Sequence, residues 1–434
     1  MITEPELVQT IRKPATQLDI AEEDILLSSP ERSMFGLLDG SARKTWRSLL
    51  KHGEADWHSF NNLEKAKNTT AMLLFSSGTT GLPKAAHLSH YNLIAQHTLL
   101  HENPEHPETY DLSRMAALPL FHAAMAPDTH VSALRSGYTT HIMRRFVLAD
   151  FLDSVERFSV THFWLVPPLV TAIVSLAESG PEARAKVMAQ LRSVRHVSVG
   201  AAPLDKDTQT RLQGLLPGHC PFTQLWAMTE TSCVITYFYH PEFDNTGSVG
   251  RPVPNLDIKV VDDSGAETPP GSAGELCVRG PTVIRGYFDN PEANARDWDK
   301  NGYFHTGDIG LRDEQTGLWY IVDRKKELIK VRGFQVAPTE LETVLLSQPG
   351  VQDVAVIGIQ DAVSGELPRA YIVRRPGEMV SADDVRHWVQ ERLARYKWLE
   401  GGVRFVDEIP KSATGKMLKR VLRERVKKET AAKL

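Results

Sequence analysis

The chain has 434 residues, of which 41% are hydrophobic and 24% are charged. This composition is typical of a folded globular protein with one large and one smaller domain, and it excludes collagen-like and disordered chains. The formal net charge of -4 and the absence of a basic block exclude nucleic acid as the expected partner.

Short apolar runs alternate with longer amphipathic stretches between residues 71 and 225, which predicts alternating strands and helices. The predicted strands are AMLLF from residue 71, MAALPL from 115, FWLV from 163 and VRHVSVG from 194. The predicted helices are SHYNLIAQHTLL from residue 89, PLVTAIVSLA from 168 and LDKDTQTRLQGLL from 204. This alternation is typical of parallel crossover units in a doubly wound sheet.

The pattern changes after Ser248, where DIKVVDDSG (from 257) and ELCVRG (from 275) predict a small antiparallel unit that ends near Tyr287. It changes again near residue 323, with helices predicted from 338 and from 382 to 396, a strand from 351, and a solvated basic last helix. We therefore predict an α/β fold. A large N-terminal domain at residues 1–322 precedes a compact α+β C-terminal domain at residues 323–434.

The loop SSGTTGLPK, residues 76–84, follows the first predicted strand and precedes the helix predicted from residue 89. Gly78 and Gly81 allow successive backbone N–H groups to point inward, which makes an anion nest suited to phosphate. Further donors come from the side chains of Ser76, Ser77, Thr79, Thr80 and Lys84. The loop is not a Walker motif, because Pro83 and Ala85 replace the glycine and the hydroxyl residue that flank its lysine. A flexible surface turn is the alternative.

More motifs follow in a fixed order: LPLFHAA (118), GAAPL (200), QLWAMTET (224), GSVGRPVPN (247), GELCVRGP (274), YFHTGD (303), DRKKELIKVRGFQVAPTELE (323) and PKSATGKMLKR (410). Together with the loop, this series resembles the adenylate-forming (AMP-binding) superfamily of acyl-CoA synthetases, luciferases and peptide-synthetase adenylation domains. The run LIKVRGFQVAPTELE is most similar to 4-coumarate-CoA ligase-like enzymes. The resemblance covers Leu73 to Arg420. It implies an acid–thiol ligase that uses ATP and CoA to form an acyl-CoA through an acyl-adenylate.

The resemblance assigns the loop of residues 76–84 to the phosphates of ATP and several later positions to adenosine. Trp226 would stack on adenine, Asp308 would accept a hydrogen bond from the ribose, and Arg324 would lie beside Asp308. Backbone close to the base would come from Gly200, Ala201 and Ala202. In isolation, a tryptophan of this kind is more often a core residue, and an Asp–Arg pair is more often an ordinary salt bridge.

Three further residues are assigned to catalysis of the first step. Glu230, with Thr229 beside it, would hold Mg²⁺, which prefers hard oxygen ligands and leaves most positions to water and phosphate. Lys416 corresponds to the mobile lysine that reaches the substrate carboxylate and the α-phosphate, where a point charge neutralises the transition state. A surface charge is the alternative for Glu230 and for Lys416.

For the second step, the resemblance implies that the C-terminal domain rotates about Lys326. The rotation would bring Lys330, Gly333 and Gln335 to the acyl-adenylate, with Gly333 leaving space for the pantetheine arm of CoA. His122 would lie where the acyl and pantetheine channels meet, or would be a satisfied core histidine.

The acyl pocket is expected around His122, Ala124 and Ala227, with further lining from residues 164–168 and 197–202. Ala124 replaces an aromatic residue of the plant coumarate ligases and widens the pocket, while Leu225 and Ala227 replace glycines and narrow it. The substrate therefore stays open among aryl, fatty and polyketide-derived carboxylic acids.

The opening ITEPELVQTIRKPATQLDI resembles a segment well inside the family's N-terminal domain. On the order of 100 residues are therefore expected to be absent before it, with apolar surface exposed as a result. A wrongly assigned start codon, a degenerate paralogue or an enzyme completed by a partner would each account for this. Two alternative functions follow: adenylation with transfer to a carrier-protein thiol, and an impaired paralogue that binds nucleotide or a partner.

Cysteines and targeting signals give the remaining expectations. Cys220, Cys233 and Cys277 form no CxxC pair, which predicts a reducing compartment, no zinc site and buried apolar roles. No apolar run is long enough to span a membrane, and no signal peptide is expected. Ala432-Lys433-Leu434 resembles the S-K-L address, so we predict a peroxisomal location and its import receptor as a partner, with the cytoplasm as the alternative.

Overall fold

The computed structural model describes residues 2–4, 7–28, 44–56, 58–76, 83–107, 109–361, 363–412 and 417–431. The chain divides into two compact units, Met1–Phe60 and Asn61–Leu434. The first unit contains β1 (Ile2–Thr3), α1 (Val8–Gln17) and β2 (Leu26–Leu27), with β1 and β2 parallel, and two 3₁₀ turns (Glu22–Asp24, Trp46–His52). Its buried apolar residues are Val8, Ala15, Ile25, Leu26 and Leu27.

The second unit opens with α2 (Leu63–Asn68), the antiparallel pair β3 (Thr70–Ser76) and β4 (Lys84–Ser89), and α3 (His90–His101). The helix predicted from residue 89 is confirmed as α3, but strand β4, which was not predicted, lies between the loop and this helix. Ala86 and Leu88 of β4 are fully buried, and this burial favours a strand over an earlier helix start. Ser89 then caps α3 by accepting a hydrogen bond from the Asn92 N–H.

The predicted doubly wound sheet is confirmed, except that the strand predicted from residue 71 lies outside it, as β3 of the antiparallel pair with β4. Five parallel strands lie in the order β6-β5-β7-β8-β9. They are β5 (Ser113–Ala116), β6 (Thr139–Ile142), β7 (His162–Leu165), β8 (His196–Val199) and β9 (Phe222–Gln224). The helices are α4 (Ala133–Ser136), α5 (Leu148–Arg157), α6 (Pro167–Ala177), α7 (Pro181–Gln190) and α8 (Lys206–Gln213). Strands β7, β8 and β9 are buried along their whole length, as expected for strands covered on both faces.

Two antiparallel sheets follow. One contains β10 (Trp226–Met228), β11 (Cys233–Tyr237) and β12 (Arg251–Pro252); the other contains β13 (Asp257–Val261), β14 (Gly274–Arg279), β15 (Phe304–Arg312) and β16 (Trp319–Arg324), with α9 (Pro291–Asp297) before β15. The predicted antiparallel unit is therefore present, but its predicted end near Tyr287 is wrong. Strand β15 pairs with the second edge of β14, which would otherwise expose unpaired backbone groups.

The C-terminal part is a mixed sheet with helices, as the α+β prediction required. It contains β17 (Ile329–Val331), β18 (Phe334–Val336), α10 (Pro338–Leu346), β19 (Val351–Asp361), β20 (Gly365–Arg374), α11 (Ala382–Gln390), β21 (Val403–Phe405) and α12 (Lys419–Ala431). Helix α11 ends six residues before the predicted Tyr396, because Leu393 and Trp398 fold back onto the core and are joined by a 3.0 Å hydrogen bond. The domain boundary at residue 322 stays a prediction.

Three smaller expectations concern burial. No helix of the described residues is long and apolar enough to cross a membrane. All three cysteines are free and buried, and burial raises the pKa of Cys220 and of Cys277 to about 12. The last helix is present as α12, but it is not fully solvated, since Lys419 and Leu422 are buried.

Candidate active site

The predicted adenine-binding residues lie beyond the carboxyl ends of β8 and β9, where open α/β sheets bind ligands. Gly200 follows β8 directly, and its N–H donates to the Leu165 carbonyl (3.2 Å). A Cβ at Gly200 would lie 2.8 Å from Leu225 Cδ1, so a larger residue would push Leu225 aside. Ala201 has a φ of +70° and is exposed, as is Ala202. The structure thus places an open, tightly turned backbone segment at this edge.

Trp226 and Asp308 are joined directly, although they are far apart in sequence. The Trp226 indole N–H donates to Asp308 Oδ2 (2.7 Å), and Arg324 Nε lies 3.0 Å from Asp308 Oδ1. Asp308 and Arg324 face each other in the register of β15 and β16. The Asp308 charge raises the pKa of Arg324. A carboxylate accepts about four hydrogen bonds, so Asp308 retains capacity for a ribose hydroxyl.

Glu230 lies in the short turn Thr229–Thr231 and is 7% exposed. The Tyr287 hydroxyl donates to Glu230 Oε1 (2.8 Å), and the Glu230 carbonyl accepts the Ile284 N–H (2.9 Å). Burial, reinforced by the neighbouring Glu230 carboxylate, raises the pKa of Tyr287, which keeps its hydroxyl a donor. Ser232, in the left-handed conformation, donates to the Thr282 carbonyl (2.8 Å). Both sides of the turn are therefore fixed to the segment that ends at Tyr287.

Lys84 connects the end of the predicted phosphate loop to Tyr287, the partner of Glu230. Its Nζ lies 2.9 Å from Asp297 Oδ2 and 3.9 Å from the centre of the Tyr287 ring. Burial alone would raise the pKa of Asp297, but Arg296 and Lys84 lower it below its usual value. Lys84, Tyr287 and Glu230 thus form one continuous group.

The sequence patterns did not single out Tyr287 and Asp297. Tyr287 lies 57 residues after Glu230, and neither residue belongs to a motif that was assigned a role. The available signal was the tyrosine itself, because a buried tyrosine hydroxyl usually requires a partner. That signal does not identify the partner.

Part of the predicted loop lies outside the described residues. Ser76 is described: its Oγ is buried and has no hydrogen-bond partner among the residues that the structure covers. Five other loop residues, Ser77, Gly78, Thr79, Thr80 and Gly81, lie outside them, as does Lys416. Their roles stay predictions.

The segments that flank Lys416 are described. Lys411 and Met417 form an antiparallel bridge, and the Leu418 N–H donates to the Pro410 carbonyl (2.8 Å). Lys411 Nζ is paired with Asp353 (2.6 Å). The two ends of the segment that carries Lys416 are therefore held together and fixed to β19.

His122 and Ala124 lie at the start of a helical segment that continues into α4. The Ala124 N–H donates to His122 Nδ1 (3.2 Å), so a neutral His122 ring carries its hydrogen on Nε2. Ala124 and Ala227 pack against one apolar cluster that includes Trp164 and Leu225. The structure thus brings together the residues that were expected to shape the acyl pocket.

The residues predicted to serve CoA form a separate hairpin. Lys330 and Gln335 are partners in the register of β17 and β18, and both are exposed. The turn between these strands is Arg332–Gly333, with φ values of +49° and +86°. Both positive values match a type I′ hairpin turn. Among the described residues, no hydrogen bond or ion pair joins this hairpin to Glu230 or Asp308. Lys326 is exposed in the turn after β16.

The donor set at Glu230 suits one kind of metal. No group of three or more His, Cys, Asp or Glu side chains among the described residues could enclose an ion. A single carboxylate oriented by Tyr287 suits Mg²⁺, which keeps several waters and shares its ligands with substrate phosphates. The residues therefore fit a magnesium–nucleotide complex.

Two family models match the chain. The model of the AMP-binding enzyme family matches residues 2–288, and the model of the AMP-binding enzyme C-terminal domain matches residues 340–416. The acyl-CoA ligase azaF of Aspergillus niger is 46% identical over 424 residues, which cover 97% of this chain and 78% of that protein. The 4-coumarate–CoA ligase 2 of Nicotiana tabacum is 37% identical over 381 residues, which cover 86% of this chain and 68% of that protein.

Solved structures with the same fold contain nucleotide. ATP-bound MatB of Rhodopseudomonas palustris superposes with a TM-score of 0.81 at 28% identity, covering 98% of this chain and 78% of that one. The o-succinylbenzoate CoA synthetase of Bacillus subtilis, in complex with ATP and magnesium ion, superposes with a TM-score of 0.70 at 27% identity. That comparison covers 92% of this chain and 84% of the other.

Proposed function

The chain belongs to the AMP-binding enzyme family, and we propose that it is an acid–thiol ligase. It converts a carboxylic acid, ATP and CoA into an acyl-CoA, AMP and pyrophosphate through an acyl-adenylate. The observation that carries this proposal is the cluster in which Asp308 joins Trp226 and Arg324, with the Glu230 carboxylate, hydrogen-bonded to Tyr287, close enough to Arg324 to help raise its pKa. Such a cluster offers a ribose acceptor and a metal-binding carboxylate within one site, beside a largely buried tryptophan ring.

In the first half-reaction, the carboxylate of the acid attacks the α-phosphate of ATP and pyrophosphate leaves. Asp308 and Trp226 orient the nucleoside, and the loop of residues 76–84 binds the leaving phosphates through backbone N–H groups. Lys416 neutralises the charge that builds at the α-phosphate, which is the largest electrostatic demand of this step. The buried Ser76 hydroxyl, without a partner among the described residues, supports a ligand at this loop.

Magnesium belongs to this step. Glu230, oriented by Tyr287, would hold Mg²⁺, which supplies charge neutralisation to the phosphates when bound. Tyr287 keeps its proton and so fixes one Glu230 oxygen in place, and the other oxygen is left for the ion and its waters.

In the second half-reaction, the CoA thiolate attacks the acyl-adenylate carbonyl, the acyl–sulfur bond forms and AMP leaves. The exposed hairpin of β17 and β18, with Lys330, Gly333 and Gln335, approaches the adenylate after rotation about Lys326. His122 lies between the acyl and pantetheine channels in this proposal. The Ala124 N–H donates to His122 Nδ1 and so orients the ring.

The acid is proposed to be aryl, fatty or polyketide-derived. The small side chain of Ala124 leaves room for a ring or a chain, and Trp164 gives the apolar cluster beside it an aromatic wall.

We further propose a peroxisomal location, on the likeness of Ala432-Lys433-Leu434 to S-K-L. These residues lie outside the described part of the chain. A fluorescent fusion with the tripeptide at its free end should colocalise with peroxisomes. Deleting the tripeptide should leave the fusion in the cytoplasm, and an unchanged location would reject this proposal.

Acid-dependent exchange of pyrophosphate into ATP tests the proposed function. A panel of aryl, fatty and polyketide-like acids should contain at least one that supports exchange by the folded protein. Lys416→Ala should reduce exchange by about 100-fold or more, because it removes the charge that stabilises the transition state. If no acid supports exchange, and Lys416→Ala equals the wild type, the adenylation proposal fails.

A further inference from the structure

Lys419 is a buried lysine three residues after Lys416, at the start of α12. Its side chain is 7% exposed, whereas lysines are almost never buried without a partner. A cation at a helix N-terminus is disfavoured by the helix dipole, and the first turn of α12 contains no acidic residue to offset it. Helix formation therefore does not account for a lysine at this position.

Two glutamates explain why Lys419 can be buried. Lys419 Nζ lies 2.8 Å from Glu342 Oε1 and 3.3 Å from Glu327 Oε2. Burial alone would lower the pKa of Lys419, but the charges of Glu342 and Glu327 outweigh burial and raise it, so the ammonium stays charged. A buried charge that loses its partner is costly, so these pairs define the position of the helix start.

Glu342 attaches Lys419 to the C-terminal sheet and to α10. It lies in α10, is buried, and also accepts the Val356 N–H of β19 (2.7 Å). Lys419 is thereby attached to the body of the C-terminal part, through both a helix and the sheet.

Glu327 connects Lys419 to the hinge. It directly follows Lys326, the predicted hinge residue, and its N–H donates to the Arg324 carbonyl (2.8 Å). Arg324 is in turn paired with Asp308. Lys419 therefore holds Glu327, the first residue beyond the hinge. Strand β16, the last strand before the hinge, ends at Arg324 in the proposed nucleotide site.

The segment that carries Lys416 ends two residues before Lys419. Its ends are joined by the Lys411–Met417 bridge and by the hydrogen bond from Leu418 to Pro410. The Lys419 ammonium thus connects this segment to the turn that contains the hinge.

We propose that Lys419 is a positioning residue for the first half-reaction. Its pairs with Glu327 and Glu342 fix the first residue beyond the hinge to the described C-terminal end of the Lys416 segment, so that rotation at Lys326 delivers Lys416 to the α-phosphate in register. This inference rests on the proposed ligase function. It predicts that loss of Lys419 slows adenylation, which needs Lys416, far more than transfer from a ready-made adenylate, which uses the β17–β18 hairpin.

The test separates the two half-reactions in Lys419→Met. Acid-dependent pyrophosphate exchange should fall by about tenfold to 100-fold, the usual effect of misplacing a catalytic group by about 1 Å. Formation of acyl-CoA from supplied acyl-adenylate and CoA should stay within about threefold of wild type. Lys419→Arg, which keeps the charge, should recover a substantial part of the exchange rate.

Lys397→Met is the matched control. Lys397 pairs with Glu340 on the same helix α10 (2.5 Å), but it contacts neither the hinge turn nor the Lys416 segment among the described residues. It should leave the ratio of the two half-reactions unchanged. If Lys419→Met fails to fold, Glu327→Gln removes only the hinge-side contact and should shift the ratio in the same direction.

Three results would overturn the inference. The two half-reactions could fall in equal proportion in Lys419→Met, as expected of a purely structural residue. Glu327→Gln could leave their ratio at the wild-type value, or Lys419→Met could match Lys397→Met. A wild-type protein that performs neither half-reaction would instead reject the proposed function, together with this inference.

Discussion

At the scale of single residues, Tyr287 determines how Glu230 is presented. The motif around Glu230 predicted a metal-binding carboxylate, but a motif cannot name a partner 57 residues away that the fold brings within 2.8 Å. The same limit applies to Trp226 and Asp308, whose separate roles were expected from sequence while their direct hydrogen bond was not. A local sequence pattern indicates which residues have a role, and tertiary packing determines which of their atoms are in contact.

Tyr287→Phe removes only the hydroxyl and keeps the ring beneath Lys84. The free energy of unfolding should fall by about 1.5–3 kcal/mol, the usual contribution of a hydrogen bond to a charged group. The Mg²⁺ concentration for half-maximal pyrophosphate exchange should rise about tenfold, because Glu230 loses the group that orients it. Urea unfolding and a Mg²⁺ titration measure the two effects.

The matched control is Tyr320→Phe, which removes an exposed hydroxyl bonded to Thr246 and should change neither quantity appreciably. An unchanged Mg²⁺ requirement in Tyr287→Phe would show that Tyr287 does not orient the metal-binding carboxylate.

His196 in β8 should make the fold sensitive to acid. Burial, together with His240 and Arg114, lowers its pKa to about 3, against about 6.5 in an unfolded chain. Between these values the unfolded chain binds a proton that the folded protein does not, so stability falls as the pH decreases from 6.5 towards 3. The contribution of His196 to the slope of the free energy of unfolding against pH approaches about 1.4 kcal/mol per pH unit.

His196→Gln should therefore reduce the loss of stability between pH 7.5 and pH 5.5 by about 1 kcal/mol, whatever its effect on absolute stability. Urea unfolding at both pH values measures this difference. The exposed His219, changed in the same way, serves as the control. If the stability of His196→Gln depended on pH in the same way as that of the wild type does, the lowered pKa of His196 would not be a cause of the acid sensitivity.

At the scale of elements, sequence periodicity predicted the strands and helices that have a clear apolar pattern of their own. It missed strands that form because a neighbouring strand pairs with them. Strand β7 was found because FWLV is a continuous apolar run, β8 because valines recur in the short segment VRHVSVG, and α6 because an amphipathic stretch begins at a proline. Strand β4 was missed, since its six residues follow the loop without a break and are strand only because β3 pairs with them. Strands β15 and β16 were likewise interpreted as motifs and not as sheet.

The β17–β18 hairpin offers a test at this scale. Gly333 has a φ of +86° and open space around its Cβ position, so Gly333→Ala adds backbone strain without a clash within the described residues. The free energy of unfolding should fall by about 1 kcal/mol. If pantetheine passes Gly333, the KM for CoA should rise severalfold while acid-dependent pyrophosphate exchange stays at the wild-type rate.

Gly377→Ala is the control for strain alone, because Gly377 has a φ of +82° and equally open surroundings. It should cost a similar amount of stability and leave the KM for CoA unchanged. Equal CoA kinetics in the two variants would remove Gly333 from the pantetheine path.

At the scale of the whole molecule, the order of motifs along the chain predicted the α/β class and the ligase family. The structure adds that one compact unit, Asn61–Leu434, contains the Trp226–Asp308–Arg324 cluster, the turn with Lys326 and the β17–β18 hairpin. The connection of that turn to α12 depends on the long-range pair Lys419–Glu327, which no local pattern encodes. The acid also could not be predicted, because pocket volume is set by several small residues whose effects oppose one another.

The most direct test of the account is product analysis after incubation with ATP, Mg²⁺, CoA and an acid that supports pyrophosphate exchange. We expect AMP and acyl-CoA in equal amounts, with both lost in Asp308→Asn and Lys416→Ala. Formation of ADP, or of AMP without acyl-CoA while free CoA is present, would contradict it.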